Sequence, residues 1–142
     1  MIQTIIAYPK ITVIQPQGSF NSSSALEFQR QVTIAVSQEG YTNVLVDLEQ
    51  VESLDSAGLM ALIYGLRLAQ TLDRQLSLCS VSPSIRIIFE LTQLDQVFEI
   101  FESSAAFEAQ VRRHYSLEHF ISIDNVGDAG LVPLISANVE AK

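Results

Sequence analysis

An α/β fold built on a mixed sheet follows from three features of this chain. Residues 2–8 and 11–15 are β-rich runs split by Pro9-Lys10, the signature of an antiparallel hairpin. Val44-Leu45-Val46-Asp47-Leu48 is apolar at consecutive positions, the pattern of a strand covered on both faces. Strand-like and helix-like stretches then alternate, which implies mostly parallel strands joined by crossovers. The predicted order is β-β-α-β-α-β-α-β-α, with about four helices and the first hairpin strand at an edge.

Each element has a local reason. Pro16 and Gly18 break the hairpin pattern, and Ser22, Ser23 and Ser24 offer helix caps. Ser24 with Glu27 fits a capping box, so a helix is expected to about Gln38 with Phe28, Val32 and Ala35 inward. Gly40 suits the left-handed residue that ends it. Residues 43–48 form the central strand. Leu59, Leu62, Ile63, Leu66 and Ala69 then recur at helical spacing. Leu76 to Val81 is the next strand, and Ser82-Pro83 is an N-cap followed by proline at the first helical position. Ile85, Ile88, Phe89 and Thr92 mark one face of that helix. Val97 to Phe101 reads as a last strand, and Ser104 opens a helix carrying Phe107 and Val111. The domain is expected to span residues 1–114. Residues 115–142, interrupted by Gly127, Gly130 and Pro133, read as a C-terminal extension. It is either flexible or docked through Phe120 to Ile123 and Leu131 to Ile135, on this domain or on a second subunit in a homodimer.

Composition narrows the function. Of the 142 residues, 48% are hydrophobic, enough for a core. Sixteen acids against eight bases give a net charge of −8, which argues against nucleic acid as a partner. No run approaches the ~20 apolar residues that cross a bilayer, so no membrane partner is expected. The N-terminus lacks a signal-peptide pattern, which points to the cytoplasm. Cys79, the single cysteine, is expected to be a small buried hydrophobe. No cysteine–histidine cluster has metal-ligand spacing, and no cofactor motif is present.

The pentad Asp55-Ser56-Ala57-Gly58-Leu59 lies between the central strand and the next helix. It is not a nucleophile elbow, because Leu54 stands where Gly-x-Ser-x-Gly needs its first glycine. The two histidines, His114 and His119, lie far along the chain and offer no evident base. Asp47 sits on a suitable strand for a phospho-receiver, but no acidic pair and no strand-end lysine accompany it. Ser56 at the helix mouth fits two readings, a capping residue or a modification site. Asp47, Glu49, Glu52 and Asp55 crowd this stretch without a base, either as a solvated loop or as a charged rim around Ser56. Asp55 is a second candidate cap. Opposite the leucine stripe the helix carries Met60, Tyr64, Arg67 and Leu68, residue types of interface cores. They form either a partner face or the flank of a neighbouring helix.

Together these motifs resemble the STAS domain family, the anti-sigma-factor antagonists. The resemblance rests on Gly18-Ser19-Phe20, Val44-Leu45-Val46-Asp47-Leu48, Val51, Asp55-Ser56-Ala57-Gly58-Leu59, and Ser82-Pro83 opening a helix with Ile88-Phe89-Glu90-Leu91-Thr92. It implies a STAS-type mixed sheet and a regulator, not an enzyme. It implies that a serine kinase of the histidine-kinase-like ATPase type, doubling as an anti-sigma factor, binds this chain and phosphorylates Ser56. Phosphorylation weakens binding, and a PP2C-type phosphatase restores it. Many members carry an acidic residue where Asn21 stands, so the switch loop here, with Asp55, Ala57 and Gly58, lacks that charge. The alternatives are a scaffold subunit of a sensory or lipid-transport assembly, or a nonenzymatic ligand-binding domain.

Overall fold

The protein is described by a computed structural model that covers residues 2–5, 10–38 and 41–114. Strand β1 (Ile2–Ile5) pairs antiparallel with β2 (Lys10–Ile14), Ile5 opposite Ile11, as the hairpin pattern requires. Strand β3 (Gly18–Phe20) leads into helix α1 (Ser22–Ser37). Strands β4 (Tyr41–Asp47) and β5 (Val51–Leu54) lead into α2 (Ser56–Thr71). Strand β6 (Gln75–Cys79) precedes α3 (Pro83–Thr92), then a single 3-10 turn at Leu94–Gln96 and strand β7 (Glu99–Phe101). A fourth helix, α4, covers 104–114 to the end of the described chain.

The main sheet has the order β1-β2-β4-β6-β7, with β1 at an edge and every pairing after the hairpin parallel. Strand β4 sits at its centre, and its side chains explain the unbroken apolar run. Val44 and Val46 point into a cluster with Phe28 and Val32 of α1, Ala61 and Leu62 of α2, and Ile85 and Phe89 of α3. Leu45 points the other way, into a cluster with Ile11, Val13, Cys79 and Phe107 of α4. All three strand residues have no exposed surface.

Two short strands were not expected. Strands β3 and β5 form a separate two-stranded parallel sheet. Three- and four-residue strands are too short to show a period, and Pro16 and Gly18 read as a break. Gly18 does adopt a left-handed backbone, φ 72°, at the entry to β3.

One expected boundary and one expected face shift. The last strand begins at Glu99, not Val97, because residues 94–96 first make the 3-10 turn and Phe98 turns inward to stack near Phe89. Thr92 is exposed, its hydroxyl donating to the Ile88 carbonyl, so the inward face of α3 reduces to Ile85 and Phe89 with Ile88 half-buried. Helix α4 opens at Ser104 as read, and Ser103 caps it: its hydroxyl accepts from the Ala106 N–H at 3.1 Å. Ser82 caps α3 as read, accepting from the Ile85 N–H with Pro83 at the first turn. Gly40 and the extension at 115–142 lie outside the described residues.

Candidate functional site

The small β3–β5 sheet builds the mouth of two helices. Its register sets Ser19 against Ser53 and Phe20 against Leu54, so Asn21 and Asp55 follow at the same level. Each is the N-cap of a 16-residue helix. The Asn21 side-chain oxygen accepts from the Ser23 N–H at 3.0 Å and from the Ser23 hydroxyl at 2.6 Å. Its own N–H donates to Ser24 Oγ at 3.0 Å, which completes a capping box. The expected Ser24–Glu27 box is therefore displaced by three residues. Asn21 has extended backbone and a side chain of the right length, and Ser24 becomes the reciprocal partner. Glu27 instead pairs with Arg30 at 2.6 Å, and that guanidinium holds its carboxyl below the usual carboxylate range.

At the second mouth the cap belongs to Asp55. Its Oδ1 accepts from the Gly58 N–H at 3.0 Å, while its own N–H donates to the Phe20 carbonyl at 3.3 Å. Ser56 is thus the first helical residue, exposed, and its hydroxyl has no partner among the described residues. The two readings of Ser56 separate here, because the capping role is taken by its neighbour. Ala57 is half-buried. Gly58 faces inward: an added Cβ would overlap the Phe20 carbonyl oxygen and stand 2.8 Å from Leu54 Cδ1. Its smallness serves the close approach of α2 to β3.

The inward stripe of α2 is Gly58, Ala61, Leu62, Gly65, Leu66 and Ala69. Leu59 and Ile63 are half-buried, so the predicted leucine stripe is rotated by part of a turn. Hydrophobicity patterns weight large side chains, whereas small ones make this contact: a Cβ on Gly65 would touch Val32 Cγ1 at 3.4 Å. The outward face holds Met60, 61% exposed, Tyr64, 41% exposed, and Arg67, also exposed. Leu68 differs, being half-buried against the core. On α1, Leu26 is 74% exposed, which no periodicity in the sequence singled out.

The acidic stretch divides. Glu49, Glu52 and Asp55 are exposed at the rim, but Asp47 is buried, accepting from Gln15 Nε2 at 3.1 Å and from the Glu49 N–H at 3.0 Å. Cys79, paired in register with Asp47, is fully buried, and desolvation pushes its thiol up to about 12. Among the described residues no group of side chains could hold a metal ion, and no helix is long and apolar enough to cross a membrane.

Known proteins share this fold. A Bordetella bronchiseptica protein named as an anti-sigma factor antagonist, BtrV, is 27% identical over 101 residues, which are 68% of this chain and 86% of that one. The crystal structure of a Thermotoga maritima protein described as an anti-sigma factor antagonist superposes with a TM-score of 0.69 at 23% identity, covering 79% of this chain and 95% of that one. The Bacillus cell fate determinant SpoIIAA in its phosphorylated form superposes with a TM-score of 0.58 at 17% identity, covering 77% and 98%. The STAS domain model matches residues 4–107, which takes in both helix mouths, and the chain belongs to the STAS domain family.

Proposed function

We propose that this protein is a nonenzymatic anti-sigma-factor antagonist whose partner binding is switched by phosphorylation of Ser56. The observation that carries the reading is the free, exposed Ser56 hydroxyl at the first turn of α2, released from capping by Asp55. Its partner is an anti-sigma factor that is also a serine kinase of the histidine-kinase-like ATPase type, and a PP2C-type phosphatase reverses the modification in the cytoplasm. Relatives named as anti-sigma factor antagonists, and the existence of a phosphorylated form of SpoIIAA, support it. The switch loop comprises Asn21, Asp55, Ser56, Ala57 and Gly58. The docking face comprises Met60, Tyr64 and Arg67, with Leu68 beneath it.

The physics of the switch is local. Phosphorylation forms a bond from Ser56 Oγ to the γ-phosphorus of ATP, releases ADP, and passes the hydroxyl proton to the kinase. The added group carries about −1.5 to −2 charges. Unpaired N–H groups at the start of α2 stabilise it by about 1 kcal/mol, so the fold tolerates it. Like charges about 4 Å apart at an effective dielectric near 20 repel by about 4 kcal/mol before screening, so acids of the partner opposite Ser56 oppose the complex. Burial under a partner adds desolvation that the free protein never meets.

Incubation with the kinase and ATP, followed by phosphopeptide mapping, tests the assignment. Phosphate is expected on Ser56, with Ser56→Ala binding the kinase but resisting modification and Ser56→Asp binding poorly. Phosphate elsewhere with Ser56 untouched overturns it. A scaffold role, the second reading, predicts large stoichiometric assemblies in place of a binary complex.

A further inference from the structure

We propose that the exposed face of α2 is self-complementary, and that two copies of this chain pair through it, antiparallel, about a two-fold axis at the level of Met60 and Tyr64. Residues 56, 60, 64 and 67 recur at helical spacing on the side opposite the buried stripe. Met60 and Tyr64 hold the middle of this second stripe. Exposed acids, Glu52 and Asp55, stand at one end, and exposed Arg67 at the other. Arg67 lies about 16 Å along the helix from Ser56 and makes no ion pair among the described residues.

Those positions choose the orientation. Turning a second copy over brings Arg67 of each to the acidic mouth of the other, and the contact occurs twice because a two-fold interface repeats itself. A parallel arrangement would set Arg67 against Arg67 and Asp55 against Asp55. The Asp55 carboxylate can cap and pair together, since Oδ1 takes the Gly58 N–H and leaves Oδ2 free. Leu26 holds the equivalent position on α1 and would widen the apolar centre. It lies four residues after Ser22 on α1, as Met60 lies four after Ser56 on α2, and the two helices pack side by side from strands in register. A net charge of −8 repels a second copy, so pairing depends on Arg67 and on concentration. The inference does not rest on Ser56 being phosphorylated. It does mean that a partner docking on this face displaces the dimer.

Light scattering and sedimentation of the full chain over a concentration series test it. The mass is expected to double with concentration. Met60→Asp and Arg67→Glu should each raise the dissociation constant by about tenfold or more, since the two-fold axis repeats each change, the first at the apolar centre and the second at both charged ends of the interface. At concentrations where the parent is a monomer both variants should melt as it does, because both side chains are exposed. Leu91→Asp, at an 80% exposed site on α3, should leave the dimer intact. A monomer at every concentration overturns the proposal. So does a dimer that Leu91→Asp abolishes, or one that Met60→Asp and Arg67→Glu leave unchanged.

Discussion

Gly58 shows how one residue ties the helix mouth to the sheet. It is the third residue of α2, and the Phe20 carbonyl occupies the space that a Cβ would need. That oxygen is backbone and already accepts from the Asp55 N–H, so it cannot yield without moving β3. Gly58→Ala is therefore expected to cost about 1–3 kcal/mol, as overpacked sites do, and thermal melting would read the loss. Cys79 makes a second prediction. Its thiol ionises near 9.0 when unfolded and at about 12 when folded, because burial disfavours the thiolate. Below the unfolded value the thiol is neutral in both states and has no effect. Above it the unfolded chain releases a proton that the native chain retains, so stability falls from about pH 9 upward. Cys79→Ala should flatten that alkaline decline in paired melts above and below pH 9, and the native thiol should resist alkylation until denaturant is added.

At the scale of elements, β4 is the strand whose failure should be total. Val46 is fully buried between α1, α2 and α3, where an aspartate would have no counter-charge. Val46→Asp is expected to abolish cooperative unfolding, since a buried unpaired carboxylate costs several kcal/mol and a domain has about 5–15 to lose. Near-UV circular dichroism would report the loss of packing. Helix α2 shows the opposite economy. Its inward stripe of glycine and alanine carries close approach to α1 and β3, which leaves large apolar residues to spare on its outer side. The same helix can therefore be core on one face and docking surface on the other. Leu68, half-buried, belongs to the first role more than to the second.

Across the whole molecule, three helices cover one face of the sheet and α4 covers the other through Phe107. Among the described residues, the members of both clusters lie within 11–111. A chain truncated after Tyr115 is therefore expected to keep cooperative unfolding, with a melting temperature near that of the full chain. Calorimetry of the two forms checks this. Loss of solubility on truncation would mean instead that Phe120 to Ile123 or Leu131 to Ile135 covers apolar surface. The larger cluster also anchors the helix mouths. Phe20, packed edge-on to Phe28 with ring centroids 5.0 Å apart, anchors β3, and β3 in turn seats Gly58 and Asp55.

The strand at Val44–Leu48, the hairpin, the Ser82-Pro83 helix start and the placing of Met60, Tyr64 and Arg67 opposite the leucine stripe were legible in the sequence, whereas the exposure of that face was decided by the fold. Each is written in local chemistry: consecutive apolar residues, a proline turn, a capping hydroxyl, a helical period. The family was legible for the same reason, through the order and spacing of those motifs. What tertiary structure decided was everything that depends on two distant segments meeting. Strands β3 and β5 carry no period of their own and exist because each pairs the other. The capping of α1 passed from Ser24 to Asn21, and Asp47 left the acidic rim for the interior through Gln15, 32 residues away. The inward stripe of α2 turned toward its small residues because β3 and Val32 approach there. Ser56 was visible as a serine at a helix mouth, but its free hydroxyl follows from the Asp55 side chain taking the Gly58 N–H, a hydrogen bond that depends on how the chain enters α2 from β5.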